Sequence, residues 1–421
     1  MQTPTQALES DKLVTHQVEF GGKTLTVSNF TVDRLINDSL ANDHVWEPWQ
    51  LNLMSRIIKP NFTCVDVGAN VGINAMFAGK LCPQGRVLAY EPFQAIFRVL
   101  KHNIEKNGLT NVLPIDKGLS DETTSLEMIT DVLAVGGAHV INQRHGGDQY
   151  ATTTAHFARL DDQMREHGVN RIDFIKIDVE GHEMKVLAGG ESYLREPNLQ
   201  LAIEFAPIQH FRAAVDKGCF IDRPLFEKVK SWFKHLFVMC RDQTLHPVSD
   251  WHLLRRKLMG GFFVDDLYCV NAIRPEVQSM IVKGAEAPPH VQKHQESIGS
   301  VSTTYFNRDI DGWGMADDYN PAVVSMTLNG PRGSTLKMVF NPMWRKHVPS
   351  GDHYPGWPVW IMVGDEQHRL DLLDSQRELP IQLTGQPLHV TVQSEYKTTA
   401  REYLGNPADP RQIGFRFELK R

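Results

Sequence analysis

Residues 62–72, FTCVDVGANVG, constrain this chain more than any other stretch. Phe62, Cys64, Val65 and Val67 make a short, partly β-branched apolar run, the pattern of a parallel strand buried on both faces. The acidic Asp66 closes it, and a turn follows in which Gly68 and Gly72 flank Asn70. Helix formers then run from Ile73 to Leu81. Strand, glycine turn and helix together open a nucleotide-handling α/β unit, where glycine lets the backbone approach a ligand at the carboxyl end of the strand.

What the turn lacks narrows the ligand. It has no GK[ST], which argues against a phosphate-cradling P-loop, and Asn70 and Val71 spoil a G-x-G-x-x-G dinucleotide fingerprint. D-x-G-x-N-x-G sets a carboxylate and an amide beside a glycine turn. That suits a ligand carrying an ammonium group, a carboxylate and a ribose, as S-adenosylmethionine does. A second short strand, RVLAYE, ends at Glu91, which lies 23 residues beyond Gly68. This is close to the roughly 20 that separate a glycine turn from a ribose-binding acid. Pro92 then starts a helix that Gly108 caps. A third strand, NVLPI, ends at Asp116, which is placed either against the adenine amine or as a loop cap. Upstream, WEPW at residues 46–49 reads either as a packed amphipathic element or as a site element. In the second reading Glu47 reaches the ligand's ammonium and a tryptophan lids the pocket.

A second informative stretch is IDFIKIDVEGHEMKVLAGG at residues 172–190. Phe174, Ile175 and Ile177 make another buried strand, and Asp178, Glu180, His182 and Glu183 crowd around Gly181. Four ionisable groups at a strand's carboxyl end are costly unless they meet water, one another or a ligand. Glu180 and Glu183 also suit the first turn of the following helix. LQLAIE ends in Glu204, and if its strand neighbours the previous one, Asp178 and Glu204 share one small site.

Composition excludes several classes. The 421 residues are 41% hydrophobic and 22% charged, ordinary for a globular protein of two or three domains. A net charge of −6 argues against a nucleic-acid binder dominated by phosphate contacts, and the RRK run at 255–257 reads as a solvated helix face. Five scattered cysteines without a C-x-x-C pair indicate reduced buried thiols rather than disulfides or zinc. The amino-terminal residues have neither a basic nor an apolar signal region, and no run of 18 apolar residues occurs, so a cytoplasmic protein without a membrane span is expected. His139 and His145 lack metal-ligand spacing, and the glycine- and histidine-rich residues 135–150 read as a long loop.

Further strands at residues 235–240 and 266–270 bring the expected α/β sheet to seven strands, after a Gly21-Gly22 hairpin. The expected organisation is a lead-in over 1–45, an α/β domain over 46–271, a polar, proline-containing linker over 272–300 and an all-β domain over 301–421. The last is a sandwich or jelly roll of roughly eight strands carrying Trp313, Trp344, Trp357 and Trp360.

DVGANVG, YEP and DFIKIDVEGHEMKVLAGG together resemble the FkbM-type methyltransferases, a class I S-adenosylmethionine-dependent family, over about residues 46–271. The resemblance implies a seven-stranded Rossmann-like sheet with helices on both faces, and mostly O-methylation of sugars, glycolipids or natural products. It implies cofactor contacts at Asp66, Gly68, Asn70, Gly72 and Glu91, and an active-site role for Asp178 and Glu180. His182 and the long 135–150 loop depart from the family pattern. For an alcohol acceptor, Asp178, His182 or Glu204 serves as general base, or Asp178 and Glu204 hold Mg²⁺ that acidifies the hydroxyl. The expected partner is a small-molecule or glycan acceptor, and a homo-oligomer is left open.

Overall fold

The computed structural model describes residues 4–42, 45–141, 150–205, 222–251, 254, 263–282, 293–298, 300–306, 313–316, 323–340, 358–372, 376–394, 398–399 and 412–420. The chain divides into two compact units. The first comprises Met1–Ala213, Asp222–Pro247 and Asp265–Lys283. The second takes Gly284–Arg421 with two shorter segments.

In the first unit a short helix, Pro4–Ser10, precedes a hairpin of β1 (Leu13–Phe20) and β2 (Lys23–Phe30), turned by Gly21 and Gly22 at φ 54° and 72°. Two successive positive φ values are what a two-residue hairpin turn needs, and only glycine adopts them without strain. The chain then supplies β3 (Thr63–Val67), β4 (Arg86–Tyr90) and β5 (Val112–Ile115). Later come β10 (Phe174–Ile177), β11 (Gln200–Glu204), β12 (His235–Cys240), β13 (Leu245–Pro247) and β14 (Phe263–Val270). Between β5 and β10 lie β6 (Gly118–Ser120), β7 (Thr124–Asp131), β8 (Ala134–Val140) and β9 (Tyr150–Arg159).

The central sheet runs β13-β12-β14-β11-β10-β3-β4-β5, parallel from β11 to β5 and antiparallel at β11/β14 and β12/β13. It has eight strands rather than the expected seven, because the three-residue β13 adds an edge. All of β10 and nearly all of β3, β4 and β11 is buried, as near-continuous apolar runs between two helix layers should be. From β3 the chain goes outward to β4 and β5, then returns to β10 and continues the other way to β11. The strand order therefore reverses between β3 and β10, and in open α/β sheets that reversal leaves a crevice at the carboxyl ends.

The hairpin is fastened to the glycine turn. Asn103, wholly buried on the helix Gln94–Lys106, accepts from the Ser28 amide and donates to the Ser28 and Val71 carbonyls, each at 2.8 Å. The other strands form a separate sheet in the order β6-β9-β7-β8. Residues 135–140 of the expected loop thus belong to a strand, β8, pairing Met128 with Val140 and Ile129 with His139. The glycine pair Gly136-Gly137 hides its strand pattern in the sequence.

Among the described residues, the second unit holds a six-stranded antiparallel sheet and a five-stranded one, where roughly eight strands were expected. Met326, Ile361 and Val390 of one share a buried cluster with Met338, Ile381 and Phe417 of the other. Lys293–Ile298 forms the first strand of the larger sheet, inside the stretch expected to be linker. Trp360 is buried under the Arg369 guanidinium. Cys64, Cys82, Cys240 and Cys269 are buried thiols. His145, Cys219, the RRK run, Trp344 and Trp357 lie outside the described residues. Among the described residues no helix is long and apolar enough to cross a membrane.

Candidate active site

At the β3/β10 reversal lies a cavity of about 320 Å³. Its floor is the glycine turn. Gly68 sits at φ 82°, and a Cβ there would come within 1.8 Å of the Asp178 carbonyl oxygen, so only glycine lets the two strand ends meet. The Gly68 and Ala69 amides donate to the Tyr90 carbonyl, which ties the turn to β4. Asn70 takes φ 50° and Gly72 φ 97°; a Cβ on Gly72 would press on Leu100 at 2.6 Å.

Glu91, directly after β4, is 5% exposed and accepts the Asn70 amide at 3.0 Å and the Phe93 amide at 2.8 Å. Burial nevertheless pushes its carboxyl up to about 7, the two amides opposing and the charges of Asp66 and Asp116 assisting. A carboxylate fixed by two amides beside the glycine turn can still accept from a vicinal diol such as a ribose.

The opposite side is acidic. β10 and β11 are parallel neighbours in register at Ile177 and Ile203, so Asp178 and Glu204 emerge side by side. Glu180 and Gly181 both take positive φ, 55° and 98°. Glu183, wholly buried, accepts the Val179 and Gly181 amides at 3.2 Å and so clamps this turn. That clamp separates the two acids by role: Glu183 caps, and Glu180 lines the cavity. One oxygen from each of Asp178, Glu180 and Glu204 falls within 4.8 Å of the others. Burial first, then the neighbouring carboxylates, holds Glu180 and Glu204 well above the usual glutamate range.

Beneath them is Lys176, whose Nζ is 2.6 Å from Asp178 Oδ2 and 3.8 Å from Glu47 Oε2. Burial would discharge this lysine, but Asp178, Glu47, Asp66 and Asp266 hold its pKa well above the ordinary value. Glu47, at φ 49°, occupies the N-cap position of the helix Pro48–Ile57 without a side-chain cap, and its carboxylate accepts Asn74 Nδ2 at 2.9 Å. Of the WEPW tryptophans, Trp46 lines the cavity, whereas Trp49 donates to Asp266 Oδ2 at 3.0 Å. Glu47, Asn70 and Glu180 are three of the four described non-glycine residues at positive φ, and all three face the cavity. Such backbone strain gathers where a site needs it.

The remaining wall comes from the four-stranded sheet, through Leu119, Met128, Gly136, Val140 and Phe157. A Cβ on Gly136 would touch Asn70 Nδ2 at 3.0 Å, so β8 closes directly onto the glycine turn. His182 lines this side, with Nε2 3.0 Å from Ser120 Oγ. Burial, with help from Lys185, lowers its pKa against the pull of Glu183 and Asp121.

The structure thus gathers Glu47, Gly68, Asn70, Gly72, Glu91, Asp178, Glu180, His182 and Glu204 around one cavity. It does not bring two expected cofactor contacts there. Asp66 precedes the strand tip, so strand alternation turns it onto the face where it lies in register with Lys176, beside a small space lined by Met54, Asn74 and Ala78. Burial raises its carboxyl to about 6, Lys176 pulling the other way. Asp116 is exposed and is not among the cavity-lining residues. Sequence reasoning missed Lys176, Asn74 and the β8 wall; a lysine inside the apolar run FIKI was the one available signal.

A doubly wound α/β sheet with its cavity at the switch point, and an acid at the carboxyl end of each of β4, β10 and β11, has the form of an enzyme that binds a nucleoside cofactor. Residues 66–237 match the family described as the methyltransferase FkbM domain. Methyltransferase sdnD of Sordaria araneosa is 29% identical over 154 residues, covering 30% of this chain and 59% of that protein. Methyltransferase 1 of Beauveria bassiana is 28% identical over 141 residues, covering 30% and 57%. Hexuronic acid methyltransferase AglP of Haloferax volcanii is 30% identical over 134 residues, covering 32% and 52%. The chain spans little more than half the length of these curated relatives. Residues 66–237 belong to the FkbM-type methyltransferases.

Proposed function

We propose that the protein is an S-adenosylmethionine-dependent methyltransferase acting on a hydroxyl of a sugar, glycolipid or other small molecule. The observation that carries this is one cavity with Glu91 on one side and Asp178, Glu180 and Glu204 on the other. When bound, the cofactor supplies a sulfonium methyl, which passes to the acceptor oxygen as the carbon–sulfur bond breaks. Glu91 accepts the ribose hydroxyls and Glu47 the ammonium, while the β8 wall keeps water out. Asp178 takes the hydroxyl proton. Alignment in such a site supplies about 7–11 kcal/mol, and a general base about 10²–10⁴-fold. In the same reading residues 46–271 form the catalytic domain and residues 301–421 a β-sandwich domain.

Mg²⁺ is the alternative use of the acidic group, which Asp178, Glu180 and Glu204 would hold to acidify the hydroxyl. Lys176 on Asp178 Oδ2 favours the proton-transfer reading, in which turnover withstands EDTA. Calorimetric titration with S-adenosylhomocysteine and NAD⁺ side by side tests the cofactor. Binding of the first alone is expected, and binding of NAD⁺ alone would overturn the proposal. Mass spectrometry after incubation with deuteromethyl-labelled cofactor and a glycan extract then names the acceptor.

A further inference from the structure

We infer that Lys176 is a positioning residue for methyl transfer, holding the Asp178 carboxylate in place at the cavity. The inference rests on the methyltransferase reading above. Lys176 lies in the most enclosed part of the sheet, its side chain 4% exposed, in a row with Ala202, Asp66 and Ala89 of the adjacent strands. An ammonium there costs several kcal/mol unless it is paired, and an apolar residue would fit the surrounding run better.

A purely structural charge would need only its row partner, Asp66. Instead the contact at 2.6 Å is to Asp178, two residues along the same strand, and the next, at 3.8 Å, is to Glu47. These two carboxylates stand on the acceptor and cofactor sides of one cavity. Asp178, with a side chain 23% exposed, has Oδ2 held by the lysine. Lys176 touches Asp178 rather than the reacting atoms, so it acts through that residue.

The test compares the rate of deuteromethyl incorporation into a glycan extract, the S-adenosylhomocysteine dissociation constant and the melting temperature. Lys176→Met should incorporate label about 10²-fold more slowly or worse, with cofactor affinity within about threefold, and Lys176→Arg should recover to within about tenfold of wild type. Wild-type incorporation by Lys176→Met overturns the inference, as does a loss of affinity and melting temperature in step with the rate. If Lys176→Met does not fold, Lys176→Met/Asp66→Asn is compared with Asp66→Asn alone, which relieves the excess buried charge. Equal rates in that pair likewise overturn it. Wild-type protein that neither binds S-adenosylhomocysteine nor transfers label would overturn the methyltransferase reading instead.

Discussion

Cofactor affinity should rise with pH through neutrality, and Glu91 sets the size of the effect. Its carboxyl accepts two backbone amides, which favour the charge, but burial outweighs them and lifts the pKa from 4.5 to about 7. That displacement corresponds to about 3 kcal/mol against the carboxylate. The sign follows from linkage. For the protein alone, a raised pKa means stability that is fully present below pH 4.5 and lost as pH climbs through about 7. Ribose hydroxyls donate only to the charged form productively, so binding draws the pKa back down and releases a proton whenever the pH lies below about 7.

Affinity for S-adenosylhomocysteine should therefore fall by up to about tenfold per pH unit below neutrality and level off above it. Where binding returns the carboxyl to its ordinary value, the total is the ~3 kcal/mol stored against the charge, or roughly 300-fold. Calorimetry near pH 6, 7 and 8, in buffers of different ionisation enthalpy, reads both the slope and the released proton. Glu91→Gln should bind weakly and lose the slope. Affinity that is flat across this range, or a slope that survives in Glu91→Gln, would refute the assignment of Glu91 to the ribose.

Three further outcomes are expected. Gly68→Ala combines a left-handed φ with a Cβ 1.8 Å from the Asp178 carbonyl and should cost ~2–5 kcal/mol, read by thermal melting; an unchanged melting temperature would contradict the close approach of β3 and β10. Asn103→Leu strands the Ser28 and Val71 backbone groups and should cost about 2–4 kcal/mol in urea unfolding, with less than about 1 kcal/mol showing that the hairpin does not brace the turn. Asp178→Asn should slow methyl transfer about 10²–10⁴-fold while leaving S-adenosylhomocysteine affinity within about threefold, and wild-type turnover would remove Asp178 from proton transfer.

What the sequence made legible follows from what each segment buries. β3, β4, β10 and β11 are covered on both faces, so they read as mainly apolar runs, and the acids that end β4, β10 and β11 stand out by contrast. Glu91 was legible from its distance to Gly68 because a βαβ unit fixes how much chain lies between two adjacent strand ends. β8 was not, since its role is to come close: Gly136 has no side chain because Asn70 is there, and a strand built for close approach loses the alternation that would announce it.

Asp66 and Lys176 show a different limit. Each was visible as a charge inside an apolar run, yet which way a strand residue points depends on a register that local pattern leaves open. In register they lie side by side under the site, and Glu47, Asp178 and Asp266 join them from the loop before a helix, from the end of β10 and from β14. No spacing rule links residues 47, 66, 176, 178 and 266, because the condition they satisfy is electrostatic rather than periodic. One buried ammonium must be matched by carboxylates from wherever the fold delivers them. Once the sheet order is known the match is nearly forced, since removing the lysine would leave four acids crowded with no counter-charge among the contributors named here. The chemistry of the cavity thus depends on a group that reads, in the sequence, as an interruption of the core.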